Sequence, residues 1–195
     1  MMKLADLIKE FEVHYDEFVG SGHSEPTAMS LATANAQGRP SCRVVLLKSI
    51  DPKGFVFYTN YNSRKARELA ENPYASLTFF WNEINRQVRI EGRVEKVSSS
   101  ESDAYFESRS RKSRIGAWAS KQSEEIAEKL DFEKRIAKFS LTYAVGEIPR
   151  PSFWGGFRVI PEKIEFWHKK DFRLHERRVF TKVSEEKWSF KQIYP

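Results

Sequence analysis

Two cations stand in the first turn of a short predicted helix. The stretch NSRKARELAENP, residues 62–73, offers Asn62 or Ser63 as an N-cap and ends at an Asn-Pro pair. Its first turn carries Arg64 and Lys65, although a helix N-terminus is electropositive and favours acidic side chains. A bound anion would explain this arrangement. A solvated helix would also tolerate it, because exposed charges there cost little free energy.

A second group of cations occurs in FRLHERRVF, residues 172–180. Side chains alternate between the two faces of a strand, so Arg173, His175 and Arg177 would share one face. Three such groups repel one another unless something anionic lies over them. The alternative is a solvated outer face whose cations pair with carboxylates, since charged strand faces are usually exposed.

A third pattern places a cation at each end of RVVLLK, residues 43–48. Arg43 and Lys48 are five residues apart, so in one strand they would lie on opposite faces, about 17 Å apart. They could contact two anionic groups or one elongated ligand. The alternative is that both merely flank a buried strand, as cations at strand ends often do.

The segment 105–123 combines guanidinium, ammonium and hydroxyl groups. Such groups together bind phosphate, and nearby aromatic rings could stack on nucleic-acid bases. A solvated basic loop is the remaining interpretation. The residues concerned are Arg109, Arg111, Lys112 and Arg114, interleaved with Ser108, Ser110 and Ser113.

The composition narrows the class of protein. With 195 residues, 40% of them hydrophobic and 14% aromatic, the chain can form one globular domain and is not disordered. Its net charge of +6 and its pI near 9.3 make nucleic-acid binding worth considering. However, 27 acidic residues are interleaved with 33 basic ones, and a basic balance can also serve small anionic ligands. Local patterns rather than total charge must separate these two possibilities.

Targeting and metal signals are missing from the sequence. No apolar run approaches the roughly 20 residues of a membrane span, and the N-terminus has no secretory apolar region. Cys42 is the single cysteine, so a reducing, cytoplasmic setting is expected. The four histidines have no metal-ligand spacing, and no Walker or Rossmann glycine motif occurs. A cofactor would therefore need another kind of site.

The elements that must position these groups follow from the hydrophobic pattern. Apolar residues from Leu4 to Phe18 recur at helical spacing, and GSGHSEPT breaks that helix. Short β-branched and aromatic runs separated by turn residues predict strands. We expect an α+β, mainly β fold, an antiparallel barrel with helical decoration. The predicted strands are 28–35, 41–50, 54–60, 75–81, 86–97, 157–168, 172–183 and 187–194, and further helices are 100–109 and 124–143, with a loop at 146–156.

Seven segments occur in the order and spacing found in one known family. They are RVVLLK, GFVFYTNYNSRKARELAENP, RQVRIEG, IGAWASKQS, PSFWGGFRV, IEFW and RLHER. In these segments the chain resembles the pyridoxamine 5′-phosphate oxidase family, from about residue 26 to the C-terminal IYP. Seven ordered segments are far more specific than any lone motif.

The resemblance implies a fold and an activity. The fold would be a split β-barrel, a single domain over 1–195 with an N-terminal helix at 1–20 and C-terminal strands at 150–195 that complete the site. The family binds flavin mononucleotide (FMN) at a homodimer interface. It oxidises pyridoxine or pyridoxamine 5′-phosphate to pyridoxal 5′-phosphate, with hydride passing to flavin N5 and O2 reduced to H2O2.

The resemblance also implies roles for individual residues, and it implies no metal. Arg173 and His175 resemble the catalytic pair over the substrate ring. The other implied substrate contacts are Lys48, Tyr105, Arg109 and Ser113. The implied cofactor contacts are Arg43, Lys48, Tyr58, Thr59, Ser63, Arg64, Lys65, Gln87, Gln122, Ser123, Trp167 and Arg177, with Arg43 and Lys65 on the flavin phosphate.

Two features depart from the family pattern. Members often carry a basic N-terminal arm over the substrate, and here the sequence begins almost at the first helix, so we expect that lid to be absent or shortened. Ser110 stands where a proline is usual, and Lys112 where an acidic residue is usual. The added cation could change the affinity for a phosphate group.

Two other interpretations stay open at this point. The chain could be a flavin-binding split-barrel protein with another substrate, or a non-catalytic flavin carrier. Intact Lys48, Arg109, Arg173 and His175 favour the oxidase over a carrier, which has no need of them. The other interpretation is a basic nucleic-acid-binding domain, against which the scattered cations and interleaved acids argue. We therefore expect small-molecule substrates and neither nucleic acid nor a membrane as partner.

Overall fold

The structure, a computed structural model, describes residues 2–22 and 25–195. Within these ranges the helices are α1 (Leu4–Gly20), α2 (Arg64–Glu71), α3 (Ser99–Ser108), α4 (Arg111–Ala119) and α5 (Asp131–Thr142). The strands are β1 (Ala28–Ala34), β2 (Pro40–Leu46), β3 (Ser49–Asp51), β4 (Gly54–Asn60), β5 (Tyr74–Trp81), β6 (Arg86–Lys96), β7 (Trp154–His168), β8 (Glu176–Ser184) and β9 (Lys187–Ile193). Met1, in the predicted N-terminal helix, and residues 23–24, in the predicted break, lie outside the described residues.

The strands form one antiparallel sheet in the order β2-β1-β5-β6-β7-β4-β3, and β8 joins β7 and β9. Strands β2 and β4 are far apart in this order and still contact each other, so the sheet curls. The prediction of a mainly β, α+β fold with added helices is confirmed.

Strand β7, with 15 residues, is the longest of these strands. Its first half pairs with β4, which places Trp154 opposite Asn60. Its second half pairs with β8, which places Trp167 opposite Arg177. Strand β7 therefore carries Trp154 at one end and Trp167, a residue of the predicted site, near the other.

Helix α1 fills the curl of the sheet. Its residues Leu7 and Phe11 are fully buried, and the Phe11 ring lies 4.9 Å from the rings of both Phe55 and Phe79. A smaller apolar cluster under α3 and α4 includes Phe106. No helix within the described ranges is both long and apolar enough to cross a membrane.

Two predicted strands were wrong in part. The strand predicted over 41–50 is interrupted after Leu46, because Lys48 donates its backbone N–H to Val56 on β4 and the chain restarts as β3. The strand predicted over 172–183 begins only at Glu176. Before it, Phe172 and Arg173 adopt φ values of 54° and 62° in a turn. The alternation argument therefore does not apply to Arg173 and His175.

The helices near residue 120 also differ from the prediction. The helix predicted over 124–143 is formed only over Asp131–Thr142. Helix α4 was not predicted, since its sequence RKSRIGAWA has few apolar residues at helical spacing. Ser110 caps it by accepting the Ser113 N–H at 3.2 Å.

Candidate functional site

A cavity of about 950 Å³ opens between β2, β4, the start of α2 and the α3–α4 segment. This volume is in the range of small-molecule and cofactor sites. Eleven residues predicted from the sequence line it: Arg43, Lys48, Tyr58, Thr59, Arg64, Lys65, Tyr105, Arg109, Ser113, Gln122 and Ser123. A continuous strand would place Arg43 and Lys48 on opposite faces. Both line this cavity because strand β2 ends at Leu46, between them.

Lys65 is a buried cation held by neutral groups. Its side chain is only 7% exposed, and Nζ donates to Thr59 Oγ1 at 3.1 Å, Ser63 Oγ at 3.2 Å and Gln122 Oε1 at 3.2 Å. Burial, and then the nearby Arg43, lower the pKa of Lys65 to about 8. Among the described residues it has no carboxylate at ion-pair distance, and a bound anion would supply the missing charge.

The start of α2 is capped differently from the prediction. Ser63 occupies the N-cap position, but its hydroxyl makes no capping bond and accepts from Lys65 instead. The Arg64 N–H donates to the Ser123 hydroxyl at 3.2 Å. Ser123 comes from the loop after α4 and has φ 72°, so this distant loop and the helix N-terminus form one wall of the cavity.

Sequence reasoning missed the carboxylate behind these cations. Glu68 is 6% exposed, and its oxygens accept from Thr33 at 2.5 Å, Ser41 at 2.6 Å, Arg43 at 3.3 Å and Arg64 at 2.8 Å. The sequence signal for it was the four-residue spacing of Arg64 and Glu68, which pairs side chains on one helix face.

The opposite side of the cavity is aromatic and holds one more cation. The rings of Tyr58, Tyr105 and Trp154 stack, with centroids 4.0 Å apart for the tyrosines and 5.5 Å apart for Tyr58 and Trp154. The Arg109 guanidinium lies 4.7 Å from the Trp154 ring. Its Nη1 is buried and has no hydrogen-bond partner among the described residues. Trp154 was not predicted.

The cavity thus fits a phosphorylated cofactor and a second phosphate ligand. Among the described residues, neither the buried Lys65 nor the half-buried Arg109 has a carboxylate at ion-pair distance, and the two cations lie on different walls. Near Arg109, the Ser113 hydroxyl lies 2.9 Å from that of Ser110. Hydroxyl and guanidinium donors of this kind bind phosphate oxygens.

The remaining predicted residues lie elsewhere, and none of them lines this cavity. Gln87, Trp167 and Arg177 sit side by side on β6, β7 and β8. The His175 ring is 4.8 Å from the Trp167 ring. Arg173, in the turn before β8, is exposed.

These residues form a second group, which we call the C-terminal edge: Gln87, Trp167, Arg173, His175 and Arg177. The cavity is lined by Trp154 at the start of β7, and the edge contains Trp167 near its end. The two tryptophans are thirteen positions apart on one strand, roughly 40 Å at full extension. The chain brings its predicted site together as two groups.

The family comparison identifies the chain. A family model described as "Pyridoxamine 5'-phosphate oxidase" matches residues 15–143, and one described as "Pyridoxine 5'-phosphate oxidase C-terminal dimerisation region" matches residues 154–195. The chain belongs to the pyridoxamine 5′-phosphate oxidase family. The resemblance predicted from the seven segments is confirmed.

Similar proteins include two named pyridoxine/pyridoxamine 5′-phosphate oxidase. The one from Trichormus variabilis is 52% identical over 187 residues, covering 96% of this chain and 87% of its own. The one from Psychromonas ingrahamii is 55% identical over 170 residues, covering 87% of this chain and 78% of its own.

Solved structures show the same fold. PhzG from Burkholderia lata, crystallised with tetrahydrophenazine-1-carboxylic acid, has a TM-score of 0.89 at 33% identity and covers 99% of this chain and 93% of its own. A pyridoxamine 5′-phosphate oxidase-related, FMN-binding protein from Nostoc punctiforme has a TM-score of 0.75 at 18% identity, covering 95% and 96%. The predicted split-barrel fold of this family is confirmed.

Proposed function

We propose that the protein is an FMN-dependent oxidase of pyridoxine and pyridoxamine 5′-phosphate that makes pyridoxal 5′-phosphate in the cytoplasm. The observation that carries this proposal is a single cavity with two separate cationic walls. A phosphorylated cofactor and a phosphorylated substrate bound together need two such walls. The names of relatives at 52% and 55% identity support the same substrates.

The phosphate of FMN would lie at the start of α2. Arg43, Arg64 and Lys65 supply the charge there, and helix N-termini favour anions. The remaining cavity contacts proposed for FMN are Lys48, Tyr58, Thr59, Gln122 and Ser123, with Ser63 holding Lys65 from behind.

The substrate phosphate would lie on the other wall. Arg109 offers its unpartnered Nη1, and Trp154 fixes the plane of the guanidinium by stacking. Lys48, Tyr105 and Ser113 line the cavity beside it. Ser110 adds a hydroxyl to this wall, where the proline usual in the family would offer no side-chain hydrogen bond.

We propose further that two copies of the chain share each site. The C-terminal edge lies outside the cavity, and residues 154–195 match a region described by its role in dimerisation. In a homodimer, the edge of one copy can approach the cavity of the other. Gln87, Trp167 and Arg177 would then contact FMN, and Arg173 and His175 the substrate, across the interface.

Bound FMN would supply the redox chemistry, taking two electrons from the substrate and passing them to O2, which leaves as H2O2. The chain's own residues bind and orient the reacting molecules. His175 Nδ1 accepts the Lys170 N–H at 3.2 Å, so the neutral ring carries its proton on Nε2 and can donate a hydrogen bond that orients the substrate. Arg173 would orient the substrate and stabilise charge that develops in the transition state.

The experiment is an aerobic assay of the purified protein with each phosphorylated vitamer. We expect a yellow protein that absorbs at about 450 nm, where flavin itself absorbs. We also expect pyridoxal 5′-phosphate and H2O2 to be formed in equal amounts. A colourless protein that FMN cannot reconstitute would contradict the flavin proposal.

A second candidate function is a flavoenzyme that acts on another substrate. The observation in its favour is that PhzG, which has this fold, was crystallised with tetrahydrophenazine-1-carboxylic acid. A yellow protein that oxidises neither vitamer would support a flavoenzyme with another substrate. A flavin that no substrate reduces would support the carrier.

A further inference from the structure

We infer that Glu68 is a positioning residue that holds Arg43 and Arg64 where they meet the phosphate of the cofactor. This inference rests on the proposed function, since it takes FMN as the ligand at the start of α2. Glu68 does not line the cavity. It would act only through Arg43 and Arg64, which both line the cavity and both pair with Glu68.

Arg64 shows how such positioning would work. Its side chain is 62% exposed, and it bonds Glu68 through Nε. Its two terminal nitrogens have no hydrogen bond with any described residue. The carboxylate thus holds one edge of the guanidinium and leaves the two terminal groups for a ligand. Without Glu68, an exposed arginine would sample many rotamers in solvent.

Arg43 is held more firmly, by two strands and by Glu68. Nη1 donates to the Leu31 carbonyl at 3.1 Å and to Thr33 Oγ1 at 2.6 Å, while Nη2 donates to Ser41 and to Glu68. The hydroxyls of Thr33 and Ser41 donate in turn to the carboxylate. Helix α2 and strands β1 and β2 are therefore joined at this one carboxylate.

The charge of the group suits a phosphate. Three positive charges, on Arg43, Arg64 and Lys65, and one negative charge, on Glu68, give this group a net charge of +2. That charge has the same magnitude as the charge of a phosphate monoester at neutral pH. Glu68 stays ionised: burial acts to raise its pKa, but hydrogen bonds from Ser41 and Thr33 and the contact with Arg64 lower it to about 2.

The test measures the binding of FMN and of riboflavin, which lacks the phosphate, to flavin-free protein by fluorescence titration. The variant Glu68→Gln keeps the size of the side chain and removes its charge. The matched control is Glu71→Gln, on the same helix, where Glu71 is exposed and, within the described part of the chain, accepts a hydrogen bond only from the Ala36 N–H. We expect Glu68→Gln to weaken FMN binding about tenfold, with riboflavin binding and the control unchanged.

A pH profile of FMN binding provides a readout that general damage would not change. Charged groups facing Lys65 are Arg43 and Glu68, and its other neighbours, Thr59, Ser63 and Gln122, do not titrate. Glu68 favours the protonated form of Lys65. In Glu68→Gln, the loss of FMN affinity with rising pH should therefore begin at a lower pH than in the wild type.

A second variant covers the case in which Glu68→Gln does not fold. Glu68→Asp keeps the charge but withdraws it by one methylene from Arg64, so it too should weaken FMN binding without affecting riboflavin. FMN binding as tight as, or tighter than, in the wild type for a folded variant would overturn the inference. So would equal losses for FMN and riboflavin. If the wild type binds the two flavins equally, the proposed phosphate site itself fails, whatever the variants do.

Discussion

The cavity and the C-terminal edge differ in how fully the chain fixes their functional side chains. In the cavity, Lys65 is 7% exposed, and Glu68, behind the cavity wall, is 6% exposed. Each has several hydrogen-bond partners. At the edge, Arg173 is exposed in a turn whose Phe172 is 93% exposed. His175 has one described hydrogen bond, from the Lys170 N–H.

The difference shows which part of the site one chain can build alone. Buried cations persist only where packing and hydrogen bonds hold them, so the cavity is preorganised for its ligand. An exposed aromatic ring beside exposed cations gains order only when another surface covers it. In our account that surface is the second copy of the chain.

The edge should matter most for turnover. We expect His175→Ala and Arg173→Ala each to lower turnover about 100-fold or more, because an oriented donor and a fixed positive charge contribute on this scale. FMN affinity should stay near the wild-type value. Lys191→Ala, on the exposed face of β9, is the control for loss of a charge. Normal turnover in both edge variants would show that Arg173 and His175 do not take part in the reaction.

The cavity should matter most for the cofactor. Lys65→Ala removes one buried charge and should weaken FMN binding about 10- to 100-fold, as expected for loss of a charge-assisted hydrogen bond. FMN should raise the melting temperature of the wild type, and by less in this variant. Arg67→Ala is the matched control, since Arg67 is on α2 but donates to the Asn62 carbonyl. Equal FMN affinity in Lys65→Ala and Arg67→Ala would remove Lys65 from the phosphate site.

The pKa of Lys65 predicts a pH effect confined to the cavity. This pKa is about 8 in the folded protein, and the ordinary value is 10.5. Between pH 8 and 10.5, Lys65 therefore takes up a proton when the protein unfolds. The stability of the flavin-free protein should therefore rise with pH across that window. FMN affinity should fall between pH 7 and 9 by at most about tenfold per unit, as the cation is lost. A profile that is equally steep in Lys65→Met would contradict this assignment.

The smallest effect is expected at Arg177. Its guanidinium bonds the buried carboxylate of Glu165 at 2.7 and 3.1 Å, and Arg89 bonds the same carboxylate at 3.3 Å. Arg177→Lys loses the bidentate contact with Glu165 but keeps the positive charge, so FMN affinity in the assembled dimer should fall only about threefold. A loss as large as that of Lys65→Ala would show that the edge holds the cofactor as strongly as the cavity does.

The sequence predicted the strands better than the turns. GFVFYTN predicted β4 residue for residue, because a β-branched and aromatic run between turn residues has few other structures available. The turn at Phe172 and Arg173 could not be predicted, since positive φ values are normally taken by glycine or asparagine. The prediction that Arg173, His175 and Arg177 share one strand face therefore rested on a strand that begins only at Glu176.

The candidate site shows the same limit. Cations were found because their excess near a helix N-terminus is visible in the sequence. Glu68 was missed, because a single sequence gives no sign that a helical carboxylate is buried, and buried carboxylates are uncommon. Trp154 was missed because its role depends on Arg109, which reaches it only in the folded chain.

Mixed dimers test most directly the claim that the cavity of one copy works with the edge of the other. Dimers of one Lys65→Ala chain and one His175→Ala chain can be isolated with two affinity tags. They would be assayed at an FMN concentration that saturates the wild type only. A shared site gives one doubly altered and one intact site per dimer, so we predict about half of the wild-type turnover. Turnover no higher than that of either parent variant would show that cavity and edge of the same chain work together, and would contradict our account.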